Sequence, residues 1–184
     1  MRLALIASDD PRAQHGREVL SDAHDWVEPR DAEALVLLGG DGYMLHVLHR
    51  MLDENWFLPV FGLNYGTVGF LMNKPASRRT IGERVARAKP IDVTPLKMTA
   101  ITNGGQEQSH YAINEVSLLR ETRQTAKLEV LVHDKQRIAE LACDGIIVSP
   151  PAGSTAYNLS ANGPILPLGC GLFALTPLSP FRPR

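Results

Sequence analysis

Two cysteines in 184 residues, Cys143 and Cys170, are too few for a disulfide framework and lie at no zinc-ligand spacing. We read both as reduced, structural thiols. Aromatic residues make up only 6%, and an excess of either charge is missing as well: 19 Lys and Arg stand against 20 Asp and Glu, a formal charge of -1. Without a broad positive field the chain is a poor partner for nucleic acid or an anionic membrane surface. Long apolar runs are lacking too. The run from Leu3 to Ala7 ends at Ser8-Asp9-Asp10, too short for the core of a signal peptide, and no uncharged stretch approaches the roughly 20 apolar residues of a membrane span. The cytoplasm is the expected compartment. What remains, 44% hydrophobic and 21% charged residues, is the composition of a globular chain long enough to bury a core.

Strand and helix signals alternate as far as Ala88. Leu3 to Ala7 reads as a strand, and Ser8-Asp9-Asp10-Pro11 as the start of a helix running to about His24. Ala34 to Leu38, closed by Gly39-Gly40, reads as a buried parallel strand. Tyr43 to Leu52 then carries Met44, Val47, Leu48 and Met51 at helical spacing. Pro59 to Asn64 is a third strand and Ile81 to Ala88 a third helix. The alternation predicts an α/β N-terminal domain, a doubly wound parallel sheet, over residues 1–92. Beyond it, β-leaning runs at Met98–Ile101, Tyr111–Leu119, Leu128–Val132 and Ile146–Val148 alternate with turn signals at Asn103-Gly104-Gly105 and His133-Asp134-Lys135. They predict a β-rich C-terminal domain over residues 93–184. From Ile165 to Arg184 prolines recur, acidic residues vanish and no closing strand or helix is legible, so that domain is expected to be incomplete.

Four places carry candidate chemistry. Gly39-Gly40-Asp41-Gly42 falls where a buried strand meets a helix, the end of an α/β sheet at which ligands bind. Glycines there let main chain approach a phosphate. Asp41 either caps the helix or serves a metal or an incoming hydroxyl, the last two pointing to phosphoryl transfer. Gly62 to Phe70 is a second glycine-rich turn, without the Gly-Lys-Ser/Thr ending of a P-loop. Asn114-Glu115 places an amide and a carboxylate inside an apolar β run; the pair either meets a polyhydroxyl ligand or leaves one member exposed on the opposite strand face. Cys143-Asp144-Gly145 leads through a strand to Gly153-Ser154-Thr155-Ala156-Tyr157, a loop offering N–H and hydroxyl donors to an anionic or polyhydroxyl ligand, or a capped helix with Tyr157 in the core. His46 and His49, three apart, lack a third ligand, so no metal site is expected. Lys74, Arg78, Arg79 and Arg84 read as a solvated face or as triphosphate contacts.

In order and spacing, Gly39-Gly40-Asp41-Gly42, the turn at Gly62–Phe70, Asn114-Glu115, Asp144-Gly145 and Gly153 to Tyr157, continued by Ser160-Ala161-Asn162-Gly163-Pro164, strongly resemble the ATP-dependent NAD kinase family of bacterial type. The resemblance covers essentially the whole chain. It implies an α/β domain packed on a β-rich domain with NAD between them, and transfer of the ATP γ-phosphoryl to the 2′-hydroxyl of the adenosine ribose. It implies Asp41 as the catalytic acid-base residue, with Gly42 and His46 beside it. Asn114 and Glu115 would bind adenine and ribose, while Asp144, Ala152, Thr155, Ala156, Tyr157, Asn158, Leu159 and Ser160 complete the NAD site. Implied further are Mg²⁺ or another divalent ion with ATP, ATP or polyphosphate as donor, and a homo-oligomer, dimer or tetramer. The chain departs from the family in two places. Ala152 takes the place of a hydroxyl where the family commonly reads Thr-Pro-Thr-Gly-Ser, and the family continues for several strands, so a C-terminally truncated member is expected. The alternatives are a lipid or sugar kinase sharing Gly-Gly-Asp-Gly, and a non-catalytic NAD-binding fragment.

Overall fold

Three apolar runs of the first half pair as parallel strands in the computed structural model, which describes residues 1–182: β1 (Leu3–Ala7), β2 (Ala34–Gly39) and β3 (Val60–Asn64), in the order β1–β2–β3. Every residue of β2 is buried. Strand alternation sends its side chains to two separate cores. Ala34, Val36 and Leu38 pack with Leu3, Ala13, Leu63 and Ile81, while Leu35 and Leu37 pack with Ala4, Met44, Val47 and Met51. Accordingly α1 (Pro11–Ser21) and α3 (Ile81–Arg87) cover one face of the sheet and α2 (Asp41–Asp53) the other. Each fully buried leucine contributes about 1.5–3 kcal/mol over an exposed one, so β2 anchors this half.

Local signals set the helix ends. Asp10 accepts the Arg12 N–H at 2.8 Å, and Pro11 opens α1. The helix stops at Ser21, short of the expected His24, because the Leu20 carbonyl is taken by the Trp26 indole N–H at 2.9 Å and by Ala23 N–H in a tighter turn. A reciprocal capping box between Thr80 and Glu83 starts α3.

The chain divides into two compact units, Met1–Pro90 and Ile91–Arg184; Pro183 and Arg184, at the end of the expected second domain, lie outside the described residues. The second unit is built from antiparallel strands. β4 (Leu96–Ile101) pairs with β5 (Glu107–Ala112), and β7 (Ala126–Val132) with β8 (Lys135–Cys143) through a turn in which His133 and Asp134 take φ of 50° and 60°. A third sheet runs in the order β10–β9–β6, from Ala174–Leu178, Gly145–Ser149 and Val116–Leu119. The described apolar core here is small, Leu141, Cys143 and Ile146 with Leu128, Val130 and Ile138 against them.

Two sequence expectations need correction in this unit. Tyr111 to Leu119 is not one strand: it breaks into β5 and β6, which lie in different sheets, and Asn114-Glu115 occupies the break. The two side chains therefore do not alternate across a strand. The proline-rich end also contains a strand after all, β10, whose Pro177 sits opposite Ile146. β10 is an edge of the described sheet, where a missing N–H is tolerated. No described helix is long and apolar enough to cross a membrane.

Candidate active site

The carboxyl ends of β2 and β3 bring the two glycine turns of the first unit side by side. Tyr65 N–H donates to the Gly39 carbonyl at 2.7 Å. A Cβ on Gly66 would stand 2.9 Å from the Gly40 Cα, so this approach of main chain to main chain requires glycine. Asn64 shapes the second turn, accepting Gly66 N–H at 2.9 Å and donating to the Val68 carbonyl at 3.2 Å. Gly69, at φ 75°, packs where any side chain would strike Asn64.

Asp41 joins these turns. It opens α2, yet Gly40 is the N-cap and no side chain caps that end. The Asp41 carboxylate reaches instead across the sheet end, Oδ2 accepting Phe70 N–H and Oδ1 accepting Leu71 N–H, each at 2.8 Å. The helix-cap reading of Asp41 is thereby replaced. A carboxylate offers about four lone-pair positions, so two remain for another donor. Gly42 has open space where a Cβ would lie, and His46, one turn further along α2, is exposed. Of the basic cluster, Arg84 is committed to structure: it donates to the Lys74 and Pro75 carbonyls and lies over the Phe61 ring at 5.4 Å.

In the second unit the Asn114-Glu115 break is gripped from two sides. Ser149 Oγ donates to the Asn114 carbonyl at 2.9 Å. Gly153 lies against the same residue so closely that a Cβ would come within 1.6 Å of the Asn114 oxygen. Burial pushes the Glu115 carboxyl above its usual range, opposed by the Tyr157 N–H nearby. Its Oε2 is buried with no hydrogen-bond partner. An orphaned carboxylate oxygen of this kind costs free energy until a donor arrives, and a ligand hydroxyl is a fitting donor.

Of the remaining predicted residues, Ala152 and Thr155 to Ser160 lie along the loop that follows β9, while Asp144 precedes that strand. Tyr157, Leu159 and Ser160, in the short helix α4 (Tyr157–Ser160), are exposed, so Tyr157 is not the core residue that one sequence reading allowed. Thr155 and Ala156 are half-buried, and Ala152 is buried. Asn158 is fully buried, with its side chain bonded inside the unit. Asp144 pairs with Arg120 at 2.7 Å beside an open cleft of about 650 Å³ lined also by Glu121, Thr122 and Arg123. Among the described residues no three His, Cys, Asp or Glu side chains converge as a metal cage. Sequence reasoning passed over Asn64, Ser149, Arg120 and Thr176. Only Ser149 and Thr176 left a trace, as hydroxyls in otherwise apolar strands.

Comparison with known proteins follows the same lines. Residues 113–184 match the family described as ATP-NAD kinase C-terminal domain. Over 185 residues the chain is 56% identical to an NAD kinase of Rhizorhabdus wittichii, covering 100% of this chain and 71% of that protein. It is 52% identical over 183 residues to the NAD kinase of Zymomonas mobilis, covering 100% of this chain and 70% of that one. The crystal structure of an NAD kinase from Archaeoglobus fulgidus in complex with ATP superimposes with a TM-score of 0.76 at 26% identity, over 100% of this chain and 74% of its own.

Proposed function

The chain belongs to the NAD kinase family, and on that premise we propose how its residues transfer the γ-phosphoryl of ATP to the 2′-hydroxyl of the adenosine ribose of NAD, giving NADP and ADP. The observation that carries the reading is Asp41: a carboxylate fixed at the junction of two apposed glycine turns, with open space at Gly42 beside it. In this reading the 2′-hydroxyl donates to a free lone pair of Asp41 and attacks the γ-phosphorus as the bond to the β-phosphate oxygen breaks. The proton passes to the carboxylate. A carboxylate is a weak base for a sugar hydroxyl, so its main contribution is to aim the nucleophile and take the proton late in a loose transition state.

Gly42 gives the ribose room, and His46 lines the same side of α2. Asn114 and Glu115 hold the adenosine, the orphaned Glu115 oxygen accepting a ribose hydroxyl or a base amine. Asp144, Ala152, Thr155, Ala156, Tyr157, Leu159 and Ser160 complete the nucleotide site. In this reading Mg²⁺ enters as part of the MgATP substrate. The same reading takes residues 1–92 as a doubly wound α/β kinase domain and residues 93–184 as the NAD-binding domain, working in the cytoplasm as a homo-oligomer with ATP or polyphosphate as donor. Relatives named NAD kinase at 52% and 56% identity leave the lipid-kinase and sugar-kinase alternatives without support.

Asp41→Asn tests the proposal. The variant is expected to lose on the order of 10²–10⁴-fold in kcat while still binding NAD. An asparagine accepts from only one of the Phe70 and Leu71 N–H groups and sets its own NH₂ against the other, so exchange of those two amides should also quicken. Near-wild-type turnover in Asp41→Asn would remove Asp41 from the chemistry.

A further inference from the structure

The polar side chains buried among the described residues are Ser149, Ser154, Asn158 and Thr176, and they tie one loop of the second unit together. Asn158 is the hub. Its Nδ2 donates to the Ser154 carbonyl at 3.0 Å and the Pro164 carbonyl at 2.9 Å, and its Oδ1 accepts from the Thr176 hydroxyl at 2.7 Å. Both amide donors and the acceptor are thus used within the chain. Gly163 is packed so tightly that a Cβ would fall 2.1 Å from Asn158 Oδ1 and 2.6 Å from Thr176 Oγ1. Ser154 accepts Leu166 N–H at 3.0 Å and donates to the Pro151 carbonyl at 2.7 Å. Ser149 and Gly153, at the other end of the loop, hold the Asn114 main chain.

Asn158 is closed to solvent, and its two N–H donors and its Oδ1 are already bonded within the chain. Its work is to hold the residues on either side, exposed Tyr157 and Leu159, in one place against strand β10. We propose that Thr176 is a positioning residue for NAD: its hydroxyl, through Asn158 Oδ1, fixes α4 and the loop that grips Asn114-Glu115, so Asn158 serves as the link between β10 and the site and not as a ligand contact. The inference rests on the NAD kinase reading. It gives a role to the hydroxyl on an otherwise apolar strand, Ala-Leu-Thr-Pro-Leu, at a position almost closed to solvent. Thr176→Val keeps the shape and removes only the donor, leaving Asn158 Oδ1 buried and unpaired.

The test compares the wild-type full chain with Thr176→Val and Thr176→Ser in two assays: amide exchange of residues 154–160 without ligand, and NADP formation with NAD and ATP varied separately. Thr176→Val is expected to raise the KM for NAD on the order of tenfold, with kcat and the KM for ATP changed by less than about twofold, and to quicken exchange across 154–160. Thr176→Ser restores both. Unchanged KM and exchange in Thr176→Val would overturn the proposal. So would equal losses in Val and Ser, or a matching rise in the KM for ATP, since each marks general packing. If Thr176→Val does not fold, Thr176→Cys, a weaker donor of similar size to serine, must give a higher KM for NAD than Thr176→Ser, and equal values would overturn the assignment. A wild-type chain that makes no NADP would contradict the kinase reading instead; the exchange data then decide the coupling, and unchanged exchange in Thr176→Val overturns it.

Discussion

The first unit positions its functional turns with main chain on an apolar sheet; the second positions its loop with buried side-chain hydrogen bonds. In the first, β2 is buried throughout between two cores, and the turns that follow meet glycine against glycine, at Gly40 and Gly66, with Asp41 bonded to backbone N–H groups. In the second, the described apolar cluster is small and the loop from Ser149 to Leu166 is held by Ser149, Ser154, Asn158 and Thr176. A large apolar core fixes the strand ends so firmly that the turns need little besides glycine. Where the core is thin, order must come from saturated polar groups, each costly to leave unpaired.

The sharpest way to break this contrast is a pair of glycines. Gly153→Ala drives a methyl into the Asn114 carbonyl, 1.6 Å away, and should abolish the native arrangement of the second unit. Gly42→Ala meets nothing within 4 Å and, in the first turn of α2, should leave stability unchanged or raise it by about 0.5–1 kcal/mol, while turnover falls because the methyl takes the ribose's space. Thermal melts and NADP formation on both variants check this, and a stable Gly153→Ala would contradict the tight packing.

Truncation of the cores comes next in size. Leu37→Ala, fully buried in β2, should cost about 2–5 kcal/mol in urea unfolding. Leu118→Ala, 55% exposed in β6, should stay within about 0.5 kcal/mol. Similar costs at the two positions would erase the difference between the units.

The smallest effect is electrostatic. Burial raises the Glu115 carboxyl above its ordinary 4.5, so the folded state binds that proton more tightly than the unfolded chain. The associated stability is fully present below about 4.5 and is lost as pH rises through the folded value. Glu115→Gln removes the titration: from about pH 4 to about pH 7 the variant should gain on the wild type in urea midpoint by an amount worth less than about 1 kcal/mol. A parallel pH dependence would show that Glu115 is not the group responsible.

Much of the first unit is legible in the sequence because its signals are local. The apolar run at Ala34–Gly39 is β2, and the helical spacing from Met44 to Met51 is the buried side of α2. The break at Asn114-Glu115 is not legible, because Ile113 and Val116 flank it with apolar residues and the groups that hold it, Ser149 and Gly153, come far later in the chain. β10 is hidden by its own proline, which only an edge position tolerates. Asp41 is recognisable from its motif, but its hold on the second glycine turn is invisible, since backbone N–H groups carry no sequence signature. Asn158 stands in the recognisable stretch for a reason the stretch does not state: its partners are two carbonyls and a hydroxyl on β10.

The most direct test of the account is NADP formation by this 184-residue chain from NAD and MgATP, run beside Asp41→Asn at matched concentration. The account predicts steady NADP production by the wild type and a rate lower by at least about 100-fold in the variant. Equal rates in the two, or no NADP from a folded wild-type chain, would contradict it.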